Sequence, residues 1–197
     1  MSFLHQLLAQ LEIPSWIAPP PLKLSPVPHE GSHAPSSPQL ELPCHDGKPA
    51  CIAFLRHCGC PFAEKTFRRL KDAASQHPDV HFIAVSHSTK AHTDRWLESV
   101  GGTGDNVGVV VDDKRTLYAA WGLGTTGWWH VLSPWALWNV IKLGREEGIW
   151  NRPTESGYRW QAGGTFVVDG QGVVKYGEAM ASADDVPDIE ALIKSLE

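Results

Sequence analysis

Residues 54–70, "FLRHCGCPFAEKTFRRL", set two cysteines one residue apart, follow them with a proline and run on as a helix. Upstream, "ACIAFLRH" is a nearly continuous apolar run, the pattern of a central strand buried on both faces. Downstream, Phe62, Phe67, Leu70 and Ala74 recur at helical spacing and predict a helix over 61–76. Pro61 suits its first turn, where a missing N–H costs nothing. Cys60 therefore stands at a strand-to-helix junction. There, unpaired backbone N–H groups and the helix dipole favour negative charge, so a thiolate is stabilised. Arg56 and His57, just upstream, add positive charge. Ligand sites of open α/β sheets lie beyond the carboxyl ends of the strands, which is where this segment falls.

Strands and helices alternate outward from this point. Residues 1–12 predict a short amphipathic helix, with Phe3, Leu4, Leu7, Leu8 and Leu11 on one face. Residues 13–39 are a proline-rich arm of polyproline character. The body is expected over 40–197. "QLELPCHDG" reads as a strand ending in a turn at Asp46-Gly47, and "VHFIAVSH" and "VGVVVDD" as buried strands. Ser88 or Thr89 caps a helix over about 89–99 that Gly101-Gly102 ends. "KRTLYAAWG" is a short helix closed by Gly122. An insert over about 123–160 breaks the rhythm and holds six of the nine tryptophans. One helix is expected in it, from Ser133-Pro134 to about Leu143. "GGTFVVDGQGVVKYGEA" then reads as a hairpin turning at Asp169-Gly170, and "DDVPDIEALIKSLE" as a terminal helix with acidic residues at its start. The order predicts an α/β chain of thioredoxin-like architecture. A mixed central sheet is flanked by helices, with the Trp-rich helical insert before the C-terminal hairpin.

Composition narrows the function. A net charge of −5 gives no surplus of cations for phosphates, which argues against nucleic acid as a partner. No stretch approaches the ~20 apolar residues that span a bilayer, and the start lacks a basic leader, so a cytoplasmic location is expected. In a reducing compartment a close cysteine pair reads as catalytic rather than structural. Cys44 and Cys51 read as packing residues. His57, Cys44 and His45 do not complete a metal set with the pair, because no second paired motif accompanies them, so no metal is expected.

Together with the "HFIAVSH" and "VGVVVDD" strands, "LYAAWGLG" and "QAGGTFVVDGQGVVKY", the cysteine segment resembles the peroxiredoxin-like proteins. These are the alkyl hydroperoxide reductase/thiol-specific antioxidant members of the thioredoxin superfamily. The resemblance spans roughly residues 40–196. It implies thiol-dependent reduction of a peroxide or related O–O bond, with Cys60 at the nucleophile's position and Arg56 on the strand leading to it. The chain departs from the pattern at Ala63, where many relatives carry a second cysteine; the spare one here is Cys58. The Pro-x-x-x-Thr-x-x-Cys loop of a typical peroxiredoxin is also missing.

The expected catalytic residues are Cys60, Cys58 and Arg56. Cys60 attacks an O–O or S–S bond, and Cys58, another protein thiol or glutathione resolves the product. Trp129, His130, Trp138 and Arg159 are expected to bind an organic substrate against an apolar wall beside Cys60. No cofactor is implied beyond an external thiol reductant such as glutathione or thioredoxin, and a homodimer is compatible with this reading. Two rival readings come from other classes: a tailoring enzyme for a bulky apolar metabolite, and a non-catalytic redox adaptor.

Overall fold

Strand β1 (Ala50–Phe54) is buried at every residue. The structure, a computed structural model, describes residues 13–104, 106–154 and 156–197. The helix expected over residues 1–12 lies outside the described residues. β1 pairs in parallel with β2 (His81–Ser86), which pairs in parallel with β3 (Val107–Val111). On its other side β1 meets β4 (Gly164–Val168) antiparallel, and β4 meets β5 (Val174–Ala179) antiparallel. The sheet order is β3-β2-β1-β4-β5, the mixed thioredoxin-like sheet that the alternation predicts.

The two faces of β1 bury different cores, because side chains alternate along a strand. Cys51 and Ala53 join Phe67 and Leu70 of α2 (Pro61–Gln76) and Ile189 of α7 (Ile189–Ile193). Ala50, Ile52 and Phe54 join Leu117 and Tyr118 of α4 (Thr116–Ala120), with Trp121 and Phe166. Phe54 touches Tyr118, Trp121 and Phe166 edge-on or tilted, at 5.1–5.8 Å between centroids. Asp112 is buried and starts α4, accepting hydrogen bonds from the backbone N–H groups of Thr116, Leu117 and Tyr118.

Helix α2 has the predicted limits, and α3 (Lys90–Ser99) follows Thr89. Four expectations change. "QLELPCHDG" forms no strand, only an isolated bridge between Ser37 and Leu40. Pro38 and Pro43 flank it and have no N–H for a ladder. β3 is an edge strand rather than a buried one, with Val109, Val110 and Val111 half-buried. The insert holds two helices, α5 (Trp128–Leu132) and α6 (Pro134–Glu147). Ser133 caps α6, accepting from Ala136 N–H at 3.1 Å, and Gly148 ends it at φ 71°. The terminal helix is the single turn α7, capped by Asp188 and followed by a 3-10 turn over Lys194–Leu196.

The arm opens with α1 (Ile13–Trp16) and then runs without regular structure against the body. Ser25 N–H donates to Ala119 O at 3.0 Å, and Gly31 N–H and Val174 N–H bond across to Val174 O and Ser32 O. Gly122, at φ 73°, lets the arm pass. A Cβ there would come within 2.7 Å of Val27 N.

The Tyr118 hydroxyl lies between the carboxyl ends of β1 and β2, 2.5 Å from Leu55 O and 2.8 Å from Val85 O. A hydroxyl has one proton, so the two bonds share it. Tyr118→Phe removes this tie and leaves Leu55 O without it in a dry core. Urea unfolding is expected to show a loss of about 1–3 kcal/mol with little change in m-value.

Candidate active site

Because β1 and β2 are parallel, both end on the same side of the sheet. Residues 55–60 leave β1 there and residues 87–89 leave β2, and the antiparallel β4 starts there, with Gly164 opposite Phe54. Cys60 is the N-cap residue of α2, with Pro61 opening the helix, as the sequence predicts. Its side chain is nearly closed off, at 2% exposure.

Arg56 is buried as well. Its Nη1 donates to Cys60 Sγ at 3.3 Å and its Nη2 to Arg159 O at 2.6 Å. Its Nε has no partner among the described residues. Arg56 also forms no ion pair with a carboxylate among them, and the Cys60 sulfur is the side-chain group its guanidinium meets. The helix N-terminus favours negative charge at that sulfur. His57 adds no cation. Burial, then the charges of Arg56 and Arg159 and the neighbouring His87, hold its imidazole well below the ordinary value. Gly59 N–H donates to His57 Nδ1 at 3.2 Å, and Thr154 Oγ1 lies 3.1 Å from the same nitrogen.

Cys58 faces another way. Its Sγ lies 3.5 Å from Ser86 Oγ and 4.0 Å from Thr93 Oγ1, and its N–H donates to Ser88 Oγ at 3.4 Å. Burial pushes its thiol up, against the partial relief of those hydroxyls. Cys51, inside β1, is pushed up to about 12 by burial and behaves as core. All four cysteines are free thiols.

Comparison with known proteins places this arrangement. The model of the AhpC/TSA antioxidant enzyme family matches residues 66–182. The chain belongs to the AhpC/TSA antioxidant enzyme family. The match begins just past the cysteine pair, so membership rests on the scaffold rather than on Cys58 and Cys60. No curated protein matches the sequence. Among solved structures, the chain is similar to a peroxiredoxin-like protein from Aquifex aeolicus: TM-score 0.56, 16% identity, covering 89% of this chain and 90% of that one. It is similar to a thiol peroxidase from Chromobacterium violaceum, with TM-score 0.52, 19% identity and 88% and 89% covered. It is similar also to AhpC of Mycobacterium tuberculosis, with TM-score 0.52, 15% identity and 87% and 92% covered. At these identities the likeness establishes the shared fold.

Of the residues expected to bind substrate, the two tryptophans lie at the surface. Trp129 and Trp138 are 79% and 57% exposed. The side chain of His130 is not among those described. Arg159 does reach the site, but through its backbone carbonyl, which holds Arg56. Its side chain turns to the arm, donating to Ser15 Oγ at 3.0 Å and lying over Trp16. Residues 150–154 and 156–160 instead lie as a strap across the cysteine loop, which periodicity does not reveal. Arg152 N–H donates to Gly59 O, and its guanidinium reaches buried Glu64 at 2.8 Å. Ser88 Oγ donates to Ser156 O, and Tyr158 N–H donates to His87 Nε2 at 3.0 Å. Gly59 carries a local signal of this strap: a Cβ there would sit 2.3 Å from Thr154 Oγ1 and 2.6 Å from Arg152 O.

The strap's anchors set a pH dependence. Burial pulls His87 down to about 4. The unfolded chain therefore takes up a proton on His87 below ~6.5 while the folded chain resists until about 4. Its contribution is complete above ~6.5 and falls as pH drops through that window. His57 acts in the same direction. Burial alone would raise Glu64, but hydrogen bonds from Arg152 and Arg68 outweigh it and hold the carboxyl low. Glu64 thus loses its contribution only at more acid pH. Urea unfolding at pH 7 and pH 4.5 is expected to differ by up to ~3 kcal/mol from His87, and His87→Gln is expected to flatten that slope.

Proposed function

We propose that the protein reduces an organic hydroperoxide by thiol chemistry at Cys60. The observation that carries this is the buried Arg56 guanidinium, aimed at Cys60 Sγ and paired with no carboxylate among the described residues. The Cys60 thiolate attacks the terminal oxygen of RO–OH. An S–O bond forms, the O–O bond breaks, and the alkoxide leaves and takes up a proton as ROH. Cys60 is left as a sulfenic acid, to be returned by an external thiol. Arg56 orients the sulfur and supports the charge that moves onto the departing oxygen. Its unpartnered Nε is a further donor for a peroxide oxygen.

A sulfur only 2% exposed favours the slender end of a hydroperoxide over the disulfide of a folded protein, which needs in-line approach of two bulky chains. The apolar surface for the organic part comes from Trp16 and Trp160. They pack edge-on at 5.7 Å beside the Arg159 carbonyl that holds Arg56.

Cys60→Ser is expected to abolish peroxide consumption, and Arg56→Met to lower kcat/KM at least about 100-fold with the fold intact. Turnover retained in Cys60→Ser would support the tailoring-enzyme reading, and thiol-partner binding without turnover in the wild type the adaptor reading. For the wild type, kcat/KM for cumene hydroperoxide is expected to exceed that for hydrogen peroxide about tenfold, the worth of burying part of one ring. Trp16→Ala closes that gap while Trp129→Ala and Trp138→Ala leave it. Equal turnover of both peroxides in every variant would remove the organic preference.

A further inference from the structure

A helix that packs on a body normally turns polar residues outward, and α6 does not. Ala136 and Leu143 are buried on its inner side. At about 100° per residue, Trp138, Ile141 and Arg145 fall on the opposite side, with Leu137 beside them. Trp135 and Lys142, seven residues apart in sequence, flank this stripe. All six outward residues are exposed, Trp135 at 76% and Trp138 at 57%. Trp150 extends the surface by lying against buried Gly144, where a Cβ would come within 2.5 Å of the indole ring. With Trp129 of α5, the four outward indoles expose about 600 Å². The largest apolar patch of an ordinary monomer is ~300–600 Å², and Leu137 and Ile141 add to the total here.

We propose that this face docks on the surface of an anionic phospholipid bilayer, with α6 lying in the plane of the headgroups. Three observations carry it. The first is the kind of apolar residue. Tryptophan is enriched at the membrane–water interface, where its ring is apolar and its N–H stays wet. The second is charge. From Lys114 to Arg145 the chain has no Asp or Glu, although it carries 22 acidic residues in 197. Lys142 and Arg145 stand within and beside the apolar stripe, so their stems lie along hydrocarbon while their heads reach lipid phosphates. Glu146 and Glu147 come only at the helix end, and Glu147 is turned to Lys65 of α2. The third is length. A helix of 14 residues is about 21 Å long, short of the ~30 Å hydrocarbon core. No helix among the described residues is long and apolar enough to cross a membrane. An apolar stripe edged by cations on such a helix is the pattern of an interfacial element.

The net charge of −5 opposes approach of the chain as a whole. It therefore also orients the protein: the acid-free segment is the part that an anionic surface tolerates. Trp150 opens the strap whose Arg152 N–H bonds to Gly59 O, so the docked face reaches the edge of the cysteine loop.

The test uses the full chain and large unilamellar vesicles, either phosphatidylcholine alone or phosphatidylcholine with 30% phosphatidylglycerol, in flotation gradients. The protein is expected to float with the anionic vesicles and to partition at least fivefold less onto phosphatidylcholine alone. The variant Lys142→Gln with Arg145→Gln is expected to lose that preference. The variant Trp135→Ser with Trp138→Ser is expected to lower partitioning at least tenfold, with its urea midpoint unchanged. Ile141→Glu, a single change on the same stripe, is expected to do the same and guards against misfolding of the double variant. Flotation with neither vesicle, equal flotation with both, or unchanged flotation of the tryptophan and Ile141 variants overturns the proposal. So does a dimer in sedimentation velocity, without lipid, that the tryptophan variant dissolves, because the face then belongs to a second copy of the chain.

Discussion

Arg56 bridges two groups that lie far apart in the sequence: the Cys60 sulfur at 3.3 Å and the Arg159 carbonyl at 2.6 Å. The first contact sets the charge environment of the thiol. The second fixes the end of the strap that closes over it. A guanidinium suits both tasks because its fork has several donors in fixed directions and keeps its charge when buried. A lysine would bring a point charge that burial readily neutralises. The rest of the site is arranged so that this charge is not cancelled. Glu64, the nearby buried carboxylate, is occupied by Arg68 and Arg152. His57 and His87 are kept neutral by burial and by the guanidiniums around them.

The two cysteines of the motif divide the space around the loop. Only Gly59 separates them, yet their sulfurs have different surroundings: a guanidinium for Cys60, and the hydroxyls of Ser86 and Thr93 for Cys58. Hydroxyls ease the burial of a thiol without charging it. The cation and the helix end both act on Cys60. One short loop thus holds two sulfurs in different surroundings. The parallel pairing of β1 with β2 makes this possible, because it brings Ser86 and Ser88 to the same end of the sheet as the cysteine loop.

What could be read from the sequence follows the range of the interactions. The β1–α2 junction, its proline and the Cys60 position are local, and periodicity and capping chemistry suffice to place them. The edge position of β3 is not local: "VGVVVDD" is apolar enough for a central strand, and only the sheet order decides otherwise. In the first expected strand the prolines decide: Pro38 and Pro43 have no N–H for a ladder, and no strand forms. The strap from Arg152 to Arg159 has no period, and its role depends on partners about a hundred residues upstream. In the sequence Arg159 reads as a substrate ligand. It is the carbonyl of that residue that reaches the site, and a backbone carbonyl leaves no mark in a residue name. The tryptophans are a strong compositional signal, but composition does not say where each one lies. Trp129 and Trp138 are largely exposed, whereas Trp160, the last of the insert, pairs with Trp16 from the arm.

That pairing gives the arm a part in the site. Ser15 O accepts from Arg159 N–H and Ser15 Oγ from Arg159 Nε, while Trp16 O accepts from Trp160 Nε1 at 2.8 Å. Arg159 is thereby held on both its backbone N–H and its side chain by α1, and on its carbonyl by Arg56. Arg159 thus links α1 to the guanidinium beside Cys60. The proline-rich run that follows, with few backbone donors to satisfy and restricted φ, is a low-entropy way to carry the chain from α1 to the sheet edge at Val173 and Val174. The arm therefore does more than cover the body: it bonds to the residue whose carbonyl accepts from Arg56, the guanidinium that donates to the Cys60 sulfur.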